Sequence, residues 1–165
     1  LDILRRMGAD IEIHPHLLMS GEPVADIVVR SSELFATEIL PEEVPNCIDE
    51  LPILSVAMSF ARGTSQFGGA EELRHKESDR LDAVAAMLRS AGVNFSEQKD
   101  GLTIVGQPGF VPNGAIFESL HDHRIAMSAG ILAGMSQQKS GVLHPECTAI
   151  SYPTFWEDLD HLAGM

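Results

Sequence analysis

Apolar residues recur along this chain with two periods, every second position in short stretches and every third or fourth in longer ones. Residues 1–8 carry Leu1, Leu4 and Met7 on one side and read as the end of a helix that Gly8 closes. Residues 10–14 alternate around Ile11 and Ile13 and read as a strand, as do residues 25–30 (ADIVVR). Residues 31–45 form a polar, Pro-bearing loop with a short strand at 37–40. Residues 51–62 (LPILSVAMSFAR) are apolar nearly all round, which predicts a buried helix. Pro52 falls in its first turn, where a missing N–H costs nothing. A short strand at 64–67 follows Gly63, and an amphipathic helix at 78–92 places Leu81, Val84, Ala85 and Leu88 on one face and stops at Gly92. Residues 93–97 and 102–105 read as a hairpin around Lys99-Asp100-Gly101. Then come a strand at 115–118, a mostly apolar helix at 122–135, a strand at 141–143 and an amphipathic helix at 153–162. The order β-α-β-α-β-β emerges, with partial copies on either side, in an α/β fold class.

Composition narrows the picture. The 165 residues fit one domain or a large piece of one, enough to bury roughly 70% of the unfolded chain's surface. No apolar run reaches the roughly 20 residues of a membrane span. The opening residues lack the charged-then-apolar order of a secretory signal, and a chain beginning with Leu is expected to have its true start upstream. The net charge of −13, from 11 basic and 24 acidic residues, argues against broad nucleic-acid binding. An anionic ligand would need basic residues concentrated locally. Cys47 and Cys147 have no disulfide or zinc spacing and no basic context for a nucleophile. Free thiols fit a reducing compartment such as bacterial cytoplasm.

Three segments place charge at a helix start: Ile48-Asp49-Glu50-Leu51-Pro52, the run from Glu71 to Leu81, and His121-Asp122-His123-Arg124. Asp49, Ser78 and Asp122 each fit a simple N-cap. Arg80 and Arg124, in first turns, set a cation against the positive end of the helix dipole. Lys76 and Arg80 would be an unfavourable i,i+4 pair if the helix began early enough. An anion bound there would account for these placements. The alternative pairs the bases with Glu77, Asp79 and Asp122 on a solvated face, and spacing alone leaves both open. His121-Asp122-His123 has no further ligand at a recognisable spacing, so no metal site is expected. His14-Pro15-His16 reads as a surface turn. Gly68-Gly69-Ala70 is a turn without a phosphate-binding glycine pattern.

The three segments resemble the signatures of the EPSP synthase family. Glu71-Glu72-Leu73-Arg74-His75-Lys76-Glu77-Ser78-Asp79-Arg80-Leu81 is similar to the family's EELRVKESDRL run, Asp122-His123-Arg124-Ile125-Ala126-Met127-Ser128 to its DHR segment, and Ile48-Asp49-Glu50-Leu51-Pro52 to its IDE-x-P segment. Order and spacing agree, and the likeness includes Met7-Gly8-Ala9-Asp10 and Val29-Arg30-Ser31-Ser32. The resemblance implies two hinged domains, each an inside-out α/β barrel of three βαβαββ units, with substrates in the cleft between them. Residues 1–165 would then be a partial C-terminal domain, without its first part, its terminal strand or the N-terminal domain.

The implied activity is transfer of the enolpyruvyl group of phosphoenolpyruvate to the 5-hydroxyl of shikimate-3-phosphate in the cytoplasm, on the route to aromatic amino acids. By the resemblance, Asp49 contacts shikimate-3-phosphate and accepts its hydroxyl proton, and Glu77 exchanges a proton with the methylene carbon. Lys76 lies near shikimate-3-phosphate, and Arg80 and Arg124 clamp phosphoenolpyruvate. No metal or organic cofactor is implied. Where some members carry a Lys after Cys-Thr-Ala, this chain has Ile150; another branch of the family also lacks that Lys, so the departure does not break the resemblance, but that contact is not carried over. Two alternatives stand: a non-catalytic isolated domain, and the related enolpyruvyl transferase that acts on UDP-N-acetylglucosamine.

Overall fold

The computed structural model describes residues 1–15, 18 and 20–164. Helix α1 (Asp2–Arg6) ends as Gly8 takes a φ of +92°, with the Gly8 and Ala9 N–H groups bonded back to Arg5 and Leu4. A side chain at Gly8 would be strained there and would press on the Phe35 ring. Strands β1 (Asp10–Pro15) and β2 (Ala25–Arg30) pair antiparallel, Asp10 opposite Arg30 and Pro15 opposite Ala25. His14 and Pro15 therefore belong to a strand rather than a turn, and His16 lies outside the described residues.

Next comes one whole βαβαββ unit: β3 (Glu38–Ile39), α2 (Leu51–Phe60), β4 (Gly63–Phe67), α3 (Arg80–Ala91), β5 (Asn94–Gln98) and β6 (Gly101–Gly106). Its sheet runs β3-β4-β6-β5, with β3 parallel to β4 and the other pairs antiparallel. Strand β7 (Ile116–Phe117), α4 (His123–Gly134), β8 (Gly141–Val142, parallel to β7) and α5 (Phe155–Ala163) follow. The α/β class and the partial copies flanking a complete unit match the sequence pattern.

Helices α2, α3 and α4 pack on one another, while α2 also covers β6 and α3 covers β5. The all-round apolar character of α2 is accounted for by this enclosure: Leu51, Val56 and Met58 are at most 2% exposed. Its two buried hydroxyls, Ser55 and Ser59, bond to the carbonyls of Leu51 and Ser55 one turn back, at 2.7 and 2.9 Å. At Gly106 a Cβ would sit 2.2 Å from the Met58 oxygen and 2.3 Å from that of Ala61. Only glycine lets β6 end against the C-terminus of α2.

Two of the helix boundaries that differ from expectation have a plain cause. Helix α2 stops at Phe60 because Ala61 is extended and Arg62 bridges to Phe35. Helix α3 starts at Arg80, since Asp79 is the residue whose side chain caps it, accepting from the Asp82 N–H at 3.1 Å. Short 3-10 turns at Val44–Asn46, Ile48–Glu50, Glu71–His75 and Pro145–Ile150 were not foreseen, being too brief to show a period. Among the described residues, no helix is long and apolar enough to cross a membrane.

Candidate active site

The starts of α2, α3 and α4 meet around one side chain. Arg80, the first residue of α3, is 1% exposed. Its Nε donates to Asp122 Oδ2 at 2.7 Å, Nη1 to Asp49 Oδ1 at 2.8 Å and Nη2 to Glu77 Oε2 at 2.5 Å. Asp122, fully buried, caps α4 by accepting from the N–H groups of Arg124 and Ile125, at 3.0 and 3.4 Å. It also accepts from Ser78 Oγ at 3.0 Å. Burial pushes the Asp122 carboxyl up, but the Arg80 guanidinium, the Arg124 N–H and Ser78 outweigh it and hold the group below its ordinary value. Burial likewise pulls Arg80 down, yet Asp122, Glu77 and Asp49 leave it raised.

The other cations stand closer to solvent. Asp49, on the 3-10 turn entering α2, faces Lys76 Nζ at 3.7 Å through Oδ1 and Arg124 Nη2 at 3.5 Å through Oδ2. Arg124, in the first turn of α4, also donates to the Asp49 carbonyl at 3.0 Å and to Glu50 Oε1 at 3.4 Å. Lys76 is held cationic chiefly by its hydrogen bond to Glu72, with the Asp49 charge acting the same way. A cavity of about 260 Å³ opens beside Asp49 and Arg124, walled by Ile53, Met127, Tyr152 and Phe155. Ile150 lies exposed on the neighbouring 3-10 turn.

Asp49, Lys76, Glu77, Arg80 and Arg124 thus fall in one cluster, and several expectations need correction. Asp49 is not an N-cap: Glu50 holds that position at α2, without a side-chain bond. Nor is Ser78, whose hydroxyl crosses to Asp122 instead. Lys76 ends a 3-10 turn rather than sharing α3 with Arg80, so the helical like-charge pair does not form. A solvated face is excluded for Arg80 by its burial. Two residues that hold the cluster went unassigned, Ser78 as a partner of Asp122 and Arg74 as a brace. Arg74 reaches the Lys99 carbonyl, Asp79 and Asp82 at 2.8–3.0 Å. The repeated acid-and-arginine pairing at two helix starts was the available signal. Chemically, the cluster offers two partly exposed carboxylates, Asp49 and Glu77, beside fixed cations and three converging helix N-termini.

The family model for EPSP synthase (3-phosphoshikimate 1-carboxyvinyltransferase) matches residues 1–159. The chain is 45% identical over 157 residues to the 3-phosphoshikimate 1-carboxyvinyltransferase of Aquifex aeolicus, covering 94% of this chain and 36% of that protein. It is also 45% identical to that of Synechococcus elongatus, with 99% and 36% covered. The chain spans about a third of the length of the curated relatives it matches. Among solved structures, an EPSP synthase from Acinetobacter baumannii superposes with a TM-score of 0.90 at 36% identity, over 98% of this chain and 38% of the other. The enolpyruvyl transferase NikO from Streptomyces tendae, 19% identical, shares the fold with a TM-score of 0.67 over 98% of this chain and 34% of its own.

Proposed function

This chain belongs to the EPSP synthase family, and on that premise we propose that it supplies half of an active site that transfers the enolpyruvyl group of phosphoenolpyruvate to the 5-hydroxyl of shikimate-3-phosphate, releasing phosphate. Residues 1–165 are part of the C-terminal domain, and the N-terminal domain of the longer protein supplies the other half. The observation that carries this reading is the meeting of Asp49, Lys76, Glu77 and Arg124 around Arg80 at three helix starts. The exposed apolar residues Ile27 and Val29 of β2 leave a sheet face that another part of a longer protein would cover.

Arg80 has five N–H donors, and three are engaged by its own carboxylates. The carboxylate or phosphate of phosphoenolpyruvate takes up the remaining capacity, with Arg124 as the second clamp. Glu77, whose side chain is 55% exposed, is the partner placed to let go of Arg80 and turn to the substrate. In the first half-reaction Asp49 takes the hydroxyl proton as that oxygen bonds to C2, and Glu77, which takes up a proton from solvent on leaving Arg80, delivers that proton to C3. The product is a tetrahedral ketal phosphate. In the second, the C2–O bond to phosphate breaks, Glu77 regains a proton from C3, and the proton on Asp49 leaves with phosphate. The arginines stabilise the charge that gathers on the departing group. The scheme needs no metal or organic cofactor. We place it in the cytoplasm, since Cys47 and Cys147 are free thiols, as a reducing compartment keeps them.

The test is an NMR titration of the isotopically labelled chain. Shikimate-3-phosphate with phosphoenolpyruvate should shift the amides of Asp49, residues 76–80 and residues 122–124, and UDP-N-acetylglucosamine should not. Shifts with the nucleotide sugar alone would reassign the acceptor. The chain by itself should release no phosphate; release above a Glu77→Gln control would refute the half-site reading.

A further inference from the structure

The fold brings together three potential ligands from two separate stretches of the chain. His121 follows β7 in the turn before α4, while His144 and Glu146 follow the parallel strand β8 at the head of the Pro145–Ile150 turn. The imidazoles of His121 and His144 stack with centroids 3.8 Å apart and planes 29° from parallel. The Nδ1 of His144 lies 3.7 Å from Oε1 of Glu146, and one donor atom from each of the three residues lies within 4.8 Å of the others. His123, the neighbour that makes the local sequence look like a ligand pair, is the first residue of α4 and is not in the group.

We propose that His121, His144 and Glu146 form a binding site for a divalent transition-metal ion of the zinc class, apart from the Arg80 cluster. Ligands about 2.0–2.2 Å from a tetrahedral zinc ion stand about 3.4 Å from one another. The observed separations therefore need only rotamer adjustments, which these solvent-accessible side chains can make. Two imidazoles and a carboxylate suit zinc, nickel or copper, and leave a coordination position for water. The backbone offers an independent argument. His121 and His144 both lie at positive φ, +57° and +54°, a region that L-residues seldom occupy. Such conformations cluster where a ligand or a function holds them. The chain's net charge of −13 also favours a cation over an anion at a surface site. A bound ion would tie the turn that carries Asp122 into α4 to the 3-10 turn behind β8.

Titration calorimetry of the untagged chain with zinc chloride tests this. One equivalent should bind, with affinity reduced at least tenfold in His121→Gln and His144→Gln, less in Glu146→Gln and not at all in His123→Gln. Zinc should also raise the melting temperature of the unsubstituted chain. Melting curves without zinc separate loss of the site from loss of the fold. If a variant fails to fold, cobalt absorption and the imidazole resonances of the unsubstituted chain decide: four-coordinate bands with shifts at His121 and His144 support the site. No saturable binding, equal binding by the variant carrying both His121→Gln and His144→Gln, or shifts confined to other histidines would overturn it.

Discussion

Helices α3 and α4 open in the same way, with an acid at the cap and an arginine in the first turn, yet the two arginines live in different surroundings. Asp79 and Asp122 each cap their own helix. Arg80 then crosses to Asp122 and is enclosed at 1% exposure, with three carboxylates on its nitrogens. Arg124 keeps 32% of its side chain in solvent and rests on a backbone carbonyl and the edge of two acids. Position relative to the helix dipole does not distinguish them; what reaches across from the neighbouring helix does. A buried charge cannot be left unpaired, so Arg80 can give up Glu77 only as a ligand replaces it, whereas the half-exposed Arg124 can release its partners to solvent.

The strongest way to break this contrast is Arg80→Ala. It leaves Asp122 buried without its ion partner and should cost about 3–5 kcal/mol in urea denaturation. A loss under about 1 kcal/mol, the range of exposed pairs, would mean that the two helix starts are equivalent after all. Ser78→Ala removes one hydrogen bond to the buried carboxylate and should cost about 1.5–3 kcal/mol, while leaving the Arg124 side untouched. Acid sharpens the same point. The Asp122 carboxyl is held below its ordinary value in the folded chain, so its contribution is complete above that ordinary value, about 3.9. It is lost as pH falls through the folded value. The stability advantage over Asp122→Asn should therefore be steady near neutrality and shrink on acidification below about pH 4. Arg124→Ala should have the smallest effect on stability, within about 1 kcal/mol. In the longer parent protein it should weaken phosphoenolpyruvate binding, measured as a rise in KM.

Helices α2, α3 and α4 were legible because their burial is one-sided or nearly complete and so leaves a pattern in the sequence. Leu81, Val84, Ala85 and Leu88 face the core as their spacing requires. Failures came where a polar side chain had two local uses. Ser78 looked like a cap, but Asp79 took that role and freed the hydroxyl for Asp122. Asp49 looked like another, and instead points across to α3 and α4. Neither choice can be read from neighbours in sequence, because the deciding partner lies 31 or more residues away. Only the likeness to known motifs put Asp49, Glu77, Arg80 and Arg124 on one list before the fold did. His121 had no such help, and its neighbours in space became visible only when β7 and β8 aligned.

A guanidinium is flat, so its three nitrogens oblige the groups that meet them to approach within one shared sheet of space. Asp122 on α4, Asp49 before α2 and Glu77 before α3 all approach Arg80 under that rule. The side chain acts as a gauge block, setting the heights of three helix ends against one another. Lysine would preserve the charge and lose the gauge: an ammonium is a point with tetrahedral donors and cannot dictate coplanarity. A substitution table would score the exchange as mild, but here the shape of the cation carries the information, and the charge is only what keeps it in place.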